Sequence, residues 1–244
     1  MIVWSYGGGV QTVAIACLIK QGKLPKPDIA VIADTGREAE TTWSFMNEVV
    51  QPMLAPIGLT IEVASHNLAT VDLYSRKGTL LIPAFTNHTG KIGQLPGYCS
   101  VEWKRRVVRR FLKKKGVRRC KMWLGISLDE VGRAKPADVG WITHEWPLLD
   151  LKLRRRDCVQ LIKDAGLPTA PKSSCWMCPY RGKEWQSLTA GDRAKAEAFE
   201  AEMRAKDPSL FLRDDGRLLA EAWDDKPRPD STTMACDGGG YCWS

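Results

Sequence analysis

The chain has 244 residues, 44% of them hydrophobic and 26% charged, enough apolar material for the core of one or two domains. It shows neither the roughly 20 consecutive apolar residues of a bilayer span nor an amino-terminal basic, apolar and cleavage-site sequence, so a cytoplasmic location is expected. Thirty-six basic against 28 acidic residues give a net charge of +8, which implies an anionic partner, and the eight cysteines read as metal ligands or working thiols rather than a disulfide framework.

The first element is an apolar strand from Ile2 to Ser5 and Tyr6, running into Gly7-Gly8-Gly9 and then a helix over 11–22 that is apolar nearly all round and therefore buried. Three glycines remove every Cβ at the turn, so backbone N–H groups can approach an anion at the positive end of the helix, although a tight turn without a ligand reads the same way. A second apolar strand over 28–33 ends in Asp34-Thr35-Gly36, and a helix follows over 39–50; a third strand covers 60–64. Strand, helix, strand, helix implies a parallel sheet. Residues 67–98 carry no sustained period and read as irregular. A helix over 102–115 places Trp103, Val107, Val108, Phe111 and Leu112 on one stripe, with Gly116 as its stop. Eleven Lys or Arg residues lie between Lys104 and Lys121. A strand over 121–126 then delivers Gly125, Ser127, Asp129, Glu130 and Arg133 to the edge of the sheet where ligands sit in open α/β folds. Another helix covers 155–165, and an alanine-rich charged stretch over 189–206 reads as a solvated helix.

Several motifs carry chemistry. The segment from Ser5 to Thr12 resembles the pyrophosphate loop of the PP-loop ATP pyrophosphatases, in particular the branch similar to phosphoadenosine phosphosulfate (PAPS) reductases. Asp34-Thr35-Gly36 with Glu38, Glu40 and Thr41, then residues 125–130 with Arg133, Pro147-Leu148-Leu149-Asp150, and Cys175-x-x-Cys178-Pro179 follow in that family's order. The Gly-Gly-Gly-Val-Gln form is similar to that of phage and prophage members. The resemblance implies a mostly parallel sheet flanked by helices, similar to the adenine nucleotide alpha hydrolases. It divides the chain into a nucleotide-binding domain over 1–166 and a cysteine-containing segment over 167–244. It further implies ATP and Mg2+ as cofactors, with Ser5, Gly7, Gly8, Gly9, Gln11, Thr12, Asp34, Thr35, Gly125 and Ser127 around the nucleotide and Arg133 neutralising developing charge.

Two departures stand out. The family's Ser-Gly-Gly-x-Asp-Ser loop becomes Gly7-Gly8-Gly9-Val10-Gln11-Thr12, so a carboxylate is lost at Gln11 and Asp34, Asp129 or Glu130 would have to offer Mg2+ its oxygens. The reductases' Glu-Cys-Gly-x-His ending is replaced by Cys236-Asp237-Gly238-Gly239-Gly240-Tyr241-Cys242. A reductase would use Cys242 as its nucleophile.

Cys175 and Cys178 are spaced to converge on one metal. Cys99 matches a cluster-binding position in relatives, and the fourth place of an iron-sulfur cluster would be filled by Cys236 or Cys242 or left as an open iron for a sulfur substrate; a structural Zn2+ or a bare thiol pair are the other readings. Cys17, Cys120 and Cys158 read as packing residues, and His66, His88 and His144 show no metal spacing.

The basic helix could bind nucleic acid through Lys104, Arg105, Arg109, Arg110, Lys113, Arg118 and Arg119, or be a solvated charged face; Trp103 and Trp123 read as core. The expected activity is adenylation of an acceptor, a nucleobase in nucleic acid or a nucleotide, followed by sulfur or nitrogen transfer. PAPS reduction and a nucleic-acid-binding accessory role are the alternatives. Oligomeric state is not legible.

Overall fold

Apolar residues of alternating direction set the two faces of the central sheet. A computed structural model describes residues 1–65, 74–75 and 77–223. β1 (Ile2–Ser5) leads through the glycine turn to α1 (Val10–Lys20), β2 (Ile29–Asp34) and a long helical stretch. That stretch is α2 (Glu40–Phe45), a wider π-helical turn over Met46–Val50 and α3 (Gln51–Leu54). The helix runs past the expected end at 50, and Pro52, which has no N–H to offer the turn before it, accounts for the widened turn. β3 (Ile61–Ser65) follows.

Residues 67–98, expected to be irregular, contain β4 (Phe85–Thr86) and β5 (Gly93–Gln94) in their described part. A π-helical turn over Ser100–Arg105 opens α4 (Arg106–Lys114), and β6 (Cys120–Trp123) follows. A 3-10 segment over Leu128–Arg133 leads to β7 (Ile142–Glu145), to which the sequence reading assigned no strand. Then come α5 (Pro147–Asp150), α6 (Arg155–Asp164), a 3-10 segment over Pro179–Ser187, α7 (Ala190–Lys206) and β8 (Leu210–Phe211).

The main sheet is parallel throughout, in the order β3-β2-β1-β6-β7. Trp4, Ala30, Ile32 and Trp123 face α1, α3 and α6, while Val3, Val31, Ala64 and Met122 face α4. Two-residue alternation explains why neighbours along one strand enter different cores. Helix α1 is buried from Val10 to Ile19, as its all-round apolarity demands.

A third core lies around α7 and the small antiparallel sheet β5-β4-β8. Ala196, Phe199 and Met203 of α7 are buried in it, which corrects the expectation of a solvated helix. The stripe on the basic helix divides as well: Trp103 enters this third core, whereas Val107, Val108 and Leu112 pack under the main sheet. No helix among the described residues is long and apolar enough to cross a membrane.

Candidate nucleotide and thiol site

The chain order reverses between β1 and β6, and that switch point is where open α/β sheets hold ligands beyond the strand ends. Gly7-Gly8-Gly9 leaves β1 there and Gly125 leaves β6. Gly8 has φ of +80°, and a Cβ on it would stand 2.5 Å from the Thr42 Cγ2 atom. At Gly125 a Cβ would stand 2.7 Å from the Thr12 Cγ2 atom and 3.3 Å from the Thr12 nitrogen. Glycine at both positions lets the β6 exit and the first turn of α1 close on each other.

The start of α1 has an unusual electrostatic character. No side chain caps it and its first turn holds no acidic residue, yet Val10, Gln11 and Thr12 are buried. The Thr12 hydroxyl donates to the Gly9 carbonyl at 2.9 Å, and the Val13 N–H donates to the same carbonyl at 3.0 Å. An uncapped, glycine-fronted helix start of this kind presents its first N–H groups and positive dipole end to an anion.

Other expected nucleotide residues lie around this cradle. Ser5 lines a small cavity with Gly7, Ile32, Ala33, Glu38 and Lys104. Asp34 is turned into its own loop, accepting from the Gly36 N–H at 2.7 Å and from the Ser65 hydroxyl at 3.5 Å. Ser127 is fully buried, and its hydroxyl has no hydrogen-bond partner among the described residues. Gln11 donates to the Glu130 Oε2 atom at 2.9 Å, and Arg133 holds the other Glu130 oxygen at 2.5 Å. Asp129 accepts the backbone N–H of Arg155. The carboxylates expected to compensate for Gln11 are therefore already bonded to protein donors.

Residues 173–176 run from the glycine loop past residues 35–39. The Ser173 hydroxyl donates to the Gly7 carbonyl, and Cys175 pairs with Glu38 in an antiparallel bridge. The Cys175 Sγ atom lies 3.6 Å from the Thr35 hydroxyl and 3.7 Å from the Glu38 Oε1 atom, which also pairs with Lys104 at 2.8 Å. Burial pushes the Cys175 thiol well up, and the neighbouring Glu38 carboxylate adds to the effect while Lys104 opposes it. The Arg37 and Arg181 guanidinium groups feel the same sulfur. Arg181 is 1% exposed and donates to the carbonyls of Ser174, Cys175 and Glu184, which holds the Cys175–Cys178 turn in shape.

Cys99 packs on the same third core as Cys175. Among the described residues no three Cys, His, Asp or Glu side chains are arranged to hold a metal ion. Arg37, Lys104 and Arg181 lie within electrostatic reach of the buried sulfur and would offset part of the charge of a ligating thiolate. Cys236 and Cys242 lie outside the described residues, as does His66. Cys17, Cys120 and Cys158 are buried packing residues, as expected.

The basic helix divides its cations between protein carboxylates and solvent. Lys104 is drawn in by Glu38, and Arg105 and Arg109 both reach Asp138, so these three expected phosphate contacts are tied to protein carboxylates. Arg110, Lys113, Arg118 and Arg119 do face solvent. His144 is buried, and its Nδ1 atom lies 2.8 Å from the Lys135 carbonyl. Ser173 and Arg181 were not singled out from sequence, and Arg155 reads there only as part of a weaker basic run over Arg154, Arg155 and Arg156; no local pattern announces that Ser173 meets Gly7 or that Arg155 meets Gln11.

No family profile and no curated protein sequence matches the chain. Among solved structures it is similar to a phosphoadenylyl-sulfate (PAPS) reductase from Candida auris in a phosphate complex, with 12% identity and a TM-score of 0.44 over 69% of this chain and 74% of that one. It is also similar to a U34-tRNA thiolase from Methanococcus maripaludis with its 4Fe-4S cluster, with 15% identity and a TM-score of 0.47 over 85% of this chain and 66% of that one.

Proposed function

We infer that the protein is an ATP-dependent enzyme of the PP-loop type that adenylates an acceptor for sulfur or nitrogen transfer. The observation that carries this reading is the uncapped, buried start of α1 behind Gly7-Gly8-Gly9, with Ser173, two residues before Cys175, bonded to the Gly7 carbonyl. An acceptor oxygen attacks the α-phosphorus of ATP, the bond to the β-phosphate oxygen breaks, and pyrophosphate leaves. A sulfur or nitrogen nucleophile then displaces AMP from the activated carbon. Gly7, Gly8, Gly9 and Thr12 cradle phosphate through backbone N–H groups, and Arg133 offsets charge on the departing pyrophosphate.

Mg2+ typically binds through one or two carboxylates together with substrate phosphates, so it would enter with the nucleotide beside Glu130 and Asp129. An iron-sulfur cluster on Cys175 and Cys178, with Cys99 closing in and Cys236 added, would supply electron transfer or a site for sulfur; Zn2+ is the alternative occupant. The acceptor is a nucleobase in nucleic acid or a nucleotide, with the solvent-facing cations of α4 and the following turn as the docking face.

The test is to incubate anaerobically purified, metal-replete full chain with labelled ATP and Mg2+, with and without bulk RNA, and follow AMP and pyrophosphate. Release of both, stimulated by RNA, is expected. Absence of both ATP binding and turnover refutes the reading. A second reading, a nucleic-acid-binding protein that holds nucleotide without chemistry, draws on Gln11 standing where the family has a carboxylate and on the engaged state of Glu130. Tight, salt-sensitive RNA binding without turnover would favour it. Sulfite release from PAPS that is lost in C242S would favour the reductase alternative.

A further inference from the structure

Three arginines, Arg154, Arg155 and Arg156, open α6. This is the positive end of a helix, where cations are repelled rather than attracted. Two carboxylates there serve backbone groups: Asp157 accepts the Arg154 N–H at 2.8 Å, and Asp129 accepts the Arg155 N–H. Arg156 points outward, with 82% of its side chain exposed.

Arg155 turns back toward the glycine loop. Its Nη1 donates to the Gln11 Oε1 atom at 3.1 Å, and Gln11 is itself fixed by its bond to Glu130. A carboxylate at position 11 would pair with this guanidinium and neutralise it. The neutral carboxamide orients it and leaves its charge for a ligand. In the loop that also carries Asp129, the Ser127 hydroxyl is fully buried and has no hydrogen-bond partner among the described residues.

We propose that Arg155 is a phosphate-binding residue of the glycine-loop site, contacting the pyrophosphate portion of a nucleoside triphosphate, with Gln11 as its positioning residue. This rests on the reading of the loop as a nucleotide site. It also accounts for Gln11: the departure from the family's loop exchanges a carboxylate for a holder of arginine.

The test is calorimetric titration of the full chain with ATP, inorganic pyrophosphate and AMP, using wild type, R155A, R155K and R156A. R155A should weaken ATP and pyrophosphate binding about tenfold or more and change AMP binding by less than about twofold; R155K should fall between, and R156A should match wild type. If R155A is poorly folded, R155K carries the comparison. Unchanged pyrophosphate affinity in the Arg155 variants overturns the proposal, as does an equal loss for AMP. Arg155-dependent pyrophosphate binding without ATP turnover supports the proposal while refuting adenylation. A wild type that binds neither ligand overturns both.

Discussion

Gly8→Ala tests the construction of the loop most directly. Gly8 sits at φ of +80°, and an added Cβ would meet Thr42 Cγ2 at 2.5 Å, with the Ser173 Oγ atom next at 3.4 Å. The left-handed backbone alone costs an L-residue about 1–2 kcal/mol. Forcing a methyl group against a fully buried neighbour adds about 1–3 kcal/mol, so the substitution should cost about 2–5 kcal/mol in total. The two parts are separable. Thr42→Ser deletes the clashing methyl and keeps the hydroxyl, at about 1 kcal/mol for one buried methyl group. In the G8A/T42S double variant the strain remains and the clash is gone, so the cycle should show a favourable coupling of about 1 kcal/mol or more. Urea denaturation of the four proteins, with slopes checked for constancy, measures it. Additivity of the two single changes within about 0.5 kcal/mol would refute the argument that Thr42 closes on the loop.

The remaining predictions follow from the charges and thiols. Glu38→Gln breaks a pair whose side chains are only 3% and 12% exposed, and should cost about 3 kcal/mol in urea denaturation, with most of it regained in E38Q/K104M; a loss below about 1 kcal/mol would show the pair to be inert. The Asp138 carboxyl is lowered from 3.8 to about 2, first by its hydrogen bond from Arg109 and then by Arg105. A carboxylate with a depressed folded pKa contributes stability above its unfolded pKa and loses it as pH falls toward the folded one. D138N should therefore flatten stability between pH 4 and about 2 and cost about 1 kcal/mol at pH 7, a modest figure because Asp138 is half exposed; an unchanged acid slope would contradict this. Protein purified without oxygen should carry iron and acid-labile sulfide with visible absorbance, all lost in C175S/C178S. Stoichiometric zinc without sulfide would make the thiols structural.

Local patterns in the chain were sufficient for the type of β1, α1, β2, β3, α4, β6 and α6, because each carries a sustained apolar run or period. The glycine loop was equally legible, since three consecutive glycines between a strand and a helix leave few backbone alternatives. Four-residue β7 escaped, because its pairing with β6 supplies the order that so short a segment cannot announce. Alanine-rich α7 was misjudged for a related reason: Ala196, Phe199 and Met203 acquire a core only once the β5-β4-β8 sheet stands beside them.

The site divides along the same line. Composition and spacing determined that a glycine turn before a helix, a thiol pair and a cationic helix exist. Tertiary structure decided which of them meet: Ser173 reaches Gly7 from 166 residues away, Cys175 settles on Glu38, and Lys104, Arg105 and Arg109 turn inward to carboxylates. A linear pattern records which side chains prefer to leave water. The partner a charge finds depends on distances that appear only after the chain has closed on itself, since charge–charge energy varies with separation and burial rather than with position in the sequence.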